Sequence, residues 1–536
     1  GQGGGQVPVG SDDHHSVAVG DAVEVDDRQP AQRPRHPSGT EDRHLWDLGH
    51  RVLLFPVVHV EQCDDLDMLT RRSFLLASAT GASVALTGAC ASGSRVESPA
   101  ATGRVEFPMR AAESEVDLGG LAVRTWTYTG TVPATEIRLR VGQTLRAPVA
   151  NRLPQETTVH WHGLAIPNAM DGVPVLTGPA IAPGGDFTYE FQVPDAGTYY
   201  LHSHVGTQLD RGMYGPLIIE DPEDGADYDE ELVVVLDDWI DGTGTDPDQV
   251  FRKLQTDGMA PMAPGGPGVS PTAPLGADGG DVTYPYFLIN GRTTADPQVA
   301  DFRAGQRIRL RIINAGADTA FRVGVPGVAM RVTHTDGFPV VPQRADSMIL
   351  GMGERADAVV ELRSSVPVIA AAYGKDGYAQ LNMRVGGAPS SVDVAAFVAQ
   401  LRRQAPLNTA TLAPDPAVAL PARPVDTSVD LALQGPVAPY AWPINGALYD
   451  PPRNGIPLQA GNRVRMRYLN QTSMYHPMHL HGQTFQVVGG PRKDTVLVPP
   501  KQVVEVDFDT DNPGRWIVHC HNDYHLNAGM ATFIEY

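Results

Sequence analysis

Cysteine is scarce in this chain. Three occur in 536 residues, at Cys63, Cys90 and Cys520, too few for a disulfide framework. Structural zinc is disfavoured for the same reason, because it brings several closely spaced cysteines. Basic charge is short as well: 41 Lys and Arg stand against 62 Asp and Glu, a formal charge of −21. That balance argues against nucleic acid as a partner and for attraction of cationic solutes. Long apolar runs are missing. The run that ends at Ala89 is too short, and too rich in Ala, Ser and Gly, for a stable membrane span. Continuous helical periodicity is also rare.

What is present points to strands. Gly (56) and Pro (46) are abundant, which suits many short strands joined by turns. The length allows two to four domains. Residues 1–67 are rich in Gly, Asp and His and show little periodicity. They read as disordered, or as sequence upstream of a true start at Met68. His14, His15, His36, His44, His50 and His59 lie there and receive no ligand role. From Met68 the pattern changes. Arg71-Arg72-Ser73-Phe74-Leu75-Leu76 leads into the apolar run, the layout of a twin-arginine export signal. Residues 68–102 are therefore expected to be signal and tether, and the protein to act in the periplasm or cell envelope. Cys90 stands where a lipoprotein signal places its lipidated cysteine, although Thr87 occupies the position usually held by Leu.

The remainder contains an internal repeat. Val141-Gly142-Gln143-Thr144-Leu145-Arg146, Ala304-Gly305-Gln306-Arg307-Ile308-Arg309 and Ala460-Gly461-Asn462-Arg463-Val464-Arg465 read alike, and each runs on to an asparagine: Asn151, Asn314, Asn470. The alternation is that of a half-buried strand after a glycine turn. Spacings of 163 and 156 residues between the glycines imply three domains of one type. The expected architecture is all-β, three β-sandwiches in a row at about 103–222, 230–388 and 427–536. A Pro/Gly-rich insertion, Gly258–Gly280, and a linker, 389–426, partly helical around Val392–Arg403, interrupt them.

Histidine is concentrated. Of the eleven histidines after the signal, ten fall in four clusters: His160-Trp161-His162, His202-Ser203-His204, His476-Pro477-Met478-His479-Leu480-His481 and His519-Cys520-His521-Asn522-Asp523-Tyr524-His525. Only His334 stands apart. On a strand, both members of a His-x-His pair share a face. If Cys520 faces one metal, His519 and His521 face away, toward something else. One thiolate with imidazoles and a nearby methionine, Met530, is the donor set of a blue-copper site.

These four clusters resemble the signature of the multicopper oxidases, in the laccase-like three-domain branch that includes the bacterial cuprous oxidases. The resemblance covers residues from about 103 to 536. It implies three cupredoxin-like Greek-key sandwiches and four copper ions: one type 1, one type 2 and a type 3 pair. By position, His476, Cys520 and His525 would bind the type 1 copper, with Met530 axial and lowering its potential. His160 and His479 would bind the type 2 copper. His162, His202 and His521 would take one type 3 copper, and His204, His481 and His519 the other. Such enzymes couple one-electron oxidation of Cu(I), Fe(II) or phenols to reduction of dioxygen to water, here with an expected role in copper tolerance. Asp171 and Asp523 are the expected proton-supplying acids. Trp161, between two ligands, reads as packing. Met474 stands where cuprous oxidases carry a substrate methionine, yet Thr472 replaces the acidic partner expected beside it. Met259, Met262, Met348 and Met352 are further sulfur candidates.

Two other readings are weaker. A copper nitrite reductase has no use for six paired-copper histidines. A non-enzymatic copper store predicts flexible Met/His-rich tracts, where this chain has strand-borne pairs tied to one thiolate.

Overall fold

The computed structural model describes residues 103–221, 227–259, 268–453 and 455–536. The export signal, Cys63, Cys90, the six early histidines and Met262 lie outside those residues.

Six sheets occur in chain order and pair into three sandwiches. The repeated segments become corresponding strands: Thr144–Asn151, Arg307–Asn314 and Arg463–Asn470. Each follows a turn whose glycine has φ near +80° (Gly142 81°, Gly305 83°, Gly461 82°), a left-handed conformation that costs glycine little. The asparagines ending these strands are buried and do the same work three times. Asn151 Nδ2 donates to the carbonyls of Gln155 and Ile181, Asn314 Nδ2 to those of Thr319 and Leu350, and Asn470 Nδ2 to those of Met474, Val498 and Pro499. In each case Oδ1 accepts a backbone N–H two residues on. A side-chain amide thus satisfies the backbone groups freed where the strand turns away.

The four histidine clusters start on two strand pairs, and three run past their strand ends, with His525 in the short helix Asp523–Asn527. His160–His162 lies antiparallel to Gly197–His202, with His160 opposite His202. His476–Leu480 lies antiparallel to Arg515–Cys520, with His479 opposite His519. The first pair belongs to the first sandwich and the second to the third.

After residue 388 the chain forms a helix, Val394–Arg403. Asp393 caps it by accepting from Ala396 N. Phe397, Val398 and Leu401 bury against Ile369 and Ala371. Leu407–Asn408 then adds a parallel edge strand to Ser347–Leu350 in the second sandwich. Among the described residues, no helix is long and apolar enough to cross a membrane.

Candidate metal centres

Eight histidine rings meet where the first and third sandwiches touch: His160, His162, His202, His204, His479, His481, His519 and His521. Six ring nitrogens there are buried without a hydrogen-bond partner: Nε2 of His160, His202, His204 and His479, and Nδ1 of His162 and His521. The Nε2 atoms of His481 and His519 face each other at 3.0 Å. An unpartnered buried polar atom costs about 1–3 kcal/mol, so six in one place need an occupant.

The opposite ring nitrogens are held, which fixes each ring's direction. His160 Nδ1 lies 3.0 Å from the Asp171 carbonyl, and His479 Nδ1 2.8 Å from the Asp494 carbonyl. His481 Nδ1 is 3.1 Å from both Asp171 carboxylate oxygens. His162 Nε2 is 3.1 Å from Asp494 Oδ1, and His521 Nε2 is 2.8 Å from the Tyr200 hydroxyl. The rings crowd closely, with His160 stacked on His481 at 3.7 Å and His162 on His479 at 3.8 Å between centroids. Centroids within His162, His202 and His521 are 4.9–5.7 Å apart, and those within His204, His481 and His519 are 5.0–5.1 Å apart. Burial, followed by mutual repulsion, lowers the proton affinity of all the rings of these two sets. They are held neutral, the form that ligates metal.

The second centre is a triangle. Cys520 Sγ lies 3.6 Å from His476 Nδ1 and 3.5 Å from His525 Nδ1, and the two nitrogens are 3.2 Å apart. All three residues are buried. Cys520 points here while His519 and His521 point into the eight-ring cluster, as strand alternation requires. Met530 is buried beside them, tied by Cys520 N to its carbonyl (3.0 Å) and by its own N to the His525 carbonyl (2.9 Å).

Asp171 and Asp523 take different places. Asp171 is buried against His160 and His481 and orients both rings. Asp523 lines a cavity of about 210 Å3 with His202, His204, His519, His521 and Tyr449. Its Oδ2 has no partner. Burial, with the charges of Asp238 and Asp248 adding to it, pushes its carboxyl up to about 8. Trp161 is buried and packs edge-on against Tyr189 and Phe191. Met348, Met352 and Met474 are core residues, and Met259 packs partly buried against the core. His334 joins neither centre. It sits near Arg309 and Asp357 in an ion-pair network.

Sequence reasoning missed the groups that brace the rings. Asp494 is fully buried and gripped by Arg355 of the second sandwich. Burial opposes its charge, but Arg355 and the bonds from His162 and His479 hold the carboxyl well below the usual range. Asp281, also from the second sandwich, lies 3.0 Å from His525 Nε2 and accepts a hydrogen bond from Tyr440. The Thr472 hydroxyl is 2.8 Å from His476 Nε2. Thr472 therefore braces His476, and the carboxylate arrives on His525 from 244 residues away. No local pattern marks Asp281 or Asp494. Only the fold brings them to the rings.

Comparison with known proteins agrees with this geometry. Multicopper oxidase family models match residues 111–224, 230–373 and 422–535. Multicopper oxidase MmcO of Mycobacterium tuberculosis is 43% identical over 441 residues, covering 79% of this chain and 85% of its own. A copper resistance protein A homolog of Pseudomonas syringae pv. tomato is 29% identical, covering 79% and 91%. Fet3p, described as a multicopper oxidase that functions in iron import, superposes with a TM-score of 0.68 at 21% identity, covering 81% and 90%. The three sandwiches, the paired histidine strands and the buried Cys520 thus have one explanation: the chain belongs to the multicopper oxidase family, copper-dependent oxidoreductases that use oxygen.

Proposed function

We propose that the protein is a four-copper oxidase that takes single electrons from Cu(I), Fe(II) or phenols and reduces dioxygen to water, in the service of copper tolerance. The observation that carries this reading is the pair of donor sets: a buried triangle of one thiol and two imidazoles, and eight inward-facing imidazole nitrogens, joined through Cys520 by its neighbours His519 and His521. His476, Cys520, His525 and Met530 would hold the type 1 copper. His160 and His479 would hold the type 2 copper. The two ring sets, His162, His202, His521 and His204, His481, His519, would hold the type 3 pair. Bound there, copper supplies the electron storage that four-electron reduction of oxygen requires.

The chain's own residues do the rest. Cys520 joins the two centres by a short covalent path on either side. Asp171, Asp494 and Tyr200 hold the rings in the tautomers that present a free nitrogen inward. Asp523, whose burial favours the protonated carboxyl, lines the cavity beside His519 and His521 and is placed to give up a proton there. Asp281, its side chain buried 3.0 Å from His525 Nε2, puts a carboxylate beside the type 1 site that would favour a cationic reductant. The copper-resistance name of the Pseudomonas relative supports the tolerance role.

Arg71-Arg72 and the run after it support twin-arginine export to the periplasm or envelope, with Cys90 as the residue for any lipid anchor. Oxygen uptake by the copper-loaded protein with Cu(I), Fe(II) and a phenol tests the function. Uptake with at least one, fastest with a metal ion, is expected. No uptake with any of them, at four coppers per chain, would falsify the reading.

A further inference from the structure

The second sandwich carries a charge pattern that oxygen reduction leaves unused. In a chain of net charge −21, four arginines, Arg307, Arg331, Arg344 and Arg363, line one cleft of about 740 Å3. Two of them are neutralised in place. Arg307 pairs with Asp227 and Asp229, and Arg363 lies 3.0 Å from Glu361. The other two are not. Arg331 reaches the Asp227 carbonyl at 3.4 Å, and among the described residues neither it nor Arg344 has an acidic partner.

Arg331 and Arg344 also stand directly opposite each other on the antiparallel strands Met330–Thr335 and Phe338–Ala345. Like charges in that position destabilise a strand pair. Elsewhere on the same sheet the chain avoids the problem: Arg309 pairs with Asp357, and Arg311 with both Asp357 and Glu231. An anion between the two guanidinium groups would remove the repulsion. Planar forks match the oxygens of phosphate. The cleft is much larger than one oxyanion, and Val328, Val359, Val366 and Val392 supply an apolar wall.

We propose that this cleft binds a phosphate group carried on an organic substituent, with Arg331 and Arg344 gripping the phosphate and the valines covering the substituent. Soluble phosphate esters and anionic phospholipid headgroups share that chemistry. The site is remote in role from copper, so its test is independent of oxidase activity.

Calorimetric titration of the full chain with glycerol 3-phosphate, at ionic strength held constant with chloride, measures it. The wild type is expected to bind. Arg331→Gln/Arg344→Gln should lose at least about tenfold in affinity without a fall in unfolding temperature, since a repulsion has been removed. Should the double variant fold poorly, Arg344→Gln alone changes an exposed side chain and must still weaken binding. Flotation with phosphatidylglycerol and phosphatidylcholine vesicles separates the sources. Arginine-dependent capture by the first alone assigns a lipid headgroup, and ester binding without vesicle capture assigns a soluble ligand. No binding of the ester or of either vesicle by the wild type, or equal binding by the variants, overturns the proposal.

Discussion

Arg355 in the second sandwich donates two hydrogen bonds of 2.7 Å to the carboxylate of Asp494 in the third. Asp494 in turn stands 3.1 Å from His162 in the first. One buried ion pair therefore links all three sandwiches at the histidine cluster. The second sandwich offers none of the proposed copper ligands, yet it fixes ligand direction.

Asp494→Asn should show this directly. It leaves the buried Arg355 with Asp336, 3.6 Å away, as its remaining carboxylate, so the cost should stay below the about 3–5 kcal/mol of a fully unpaired buried charge. It also loosens the orientation of His162, held by the Asp494 side chain, and loss of such an outer partner lowers metal affinity or turnover about 10–100-fold. Urea unfolding and copper retention against a chelator are the two measurements. Unchanged retention in a folded variant would show that Asp494 serves stability alone.

Cys520→Ser should abolish the intense blue absorption and the oxidation of outside reductants while leaving copper at the eight-ring cluster. Serine is close in size, and the rings of that cluster face the other side of the strand. Copper content should fall by about one ion per chain. A blue band that survives the substitution refutes the assignment of the thiolate.

The ligand side of the centre was legible in sequence because it rests on strict alternation. His-x-His pairs and a Cys between two histidines can point only one way on a strand. The glycine turns and terminal asparagines revealed the threefold repeat for a similar reason, since each answers a local backbone demand. What was hidden depends on contacts between sandwiches. Asp281 meets His525 across 244 residues and Asp494 meets His162 across 332. Neither sits in a periodic segment that would single it out. Thr472, where a carboxylate is expected beside Met474, instead places its hydroxyl 2.8 Å from His476 Nε2.

Asp281→Asn tests the carboxylate that lies 3.0 Å from His525 Nε2. The amide keeps the shape and still hydrogen-bonds, but the carboxylate beside His525 Nε2 is gone. For Fe(II) and Cu(I), kcat/KM should fall by about tenfold, the equivalent of one charge-assisted contact. A neutral phenol should lose much less. Equal losses for all three reductants would mean that Asp281 only orients the ring.

Asp357 provides a test in pH. It is buried where the first and second sandwiches meet, accepting from Thr198 Oγ1 at 2.7 Å and pairing with Arg309 and Arg311. Burial alone would raise its carboxyl, but the two guanidinium groups overcome that and hold it down to about 2. In the unfolded chain an aspartate titrates near about 3.9. The unfolded state therefore takes up the proton first as pH falls. The stabilisation is fully present above the unfolded value and is lost as pH drops toward the folded one, amounting to about 2–3 kcal/mol. Asp357→Asn should cost about 2–3 kcal/mol at neutral pH, because Arg309 and Arg311 both lose a buried carboxylate. Its stability should then decline less steeply than the wild type's from about pH 5 to about pH 2. Urea unfolding across that range reads both effects. Parallel curves for the two proteins would place the acid sensitivity elsewhere, while a flatter curve for the variant assigns it to this carboxylate and to the contact it makes through Thr198.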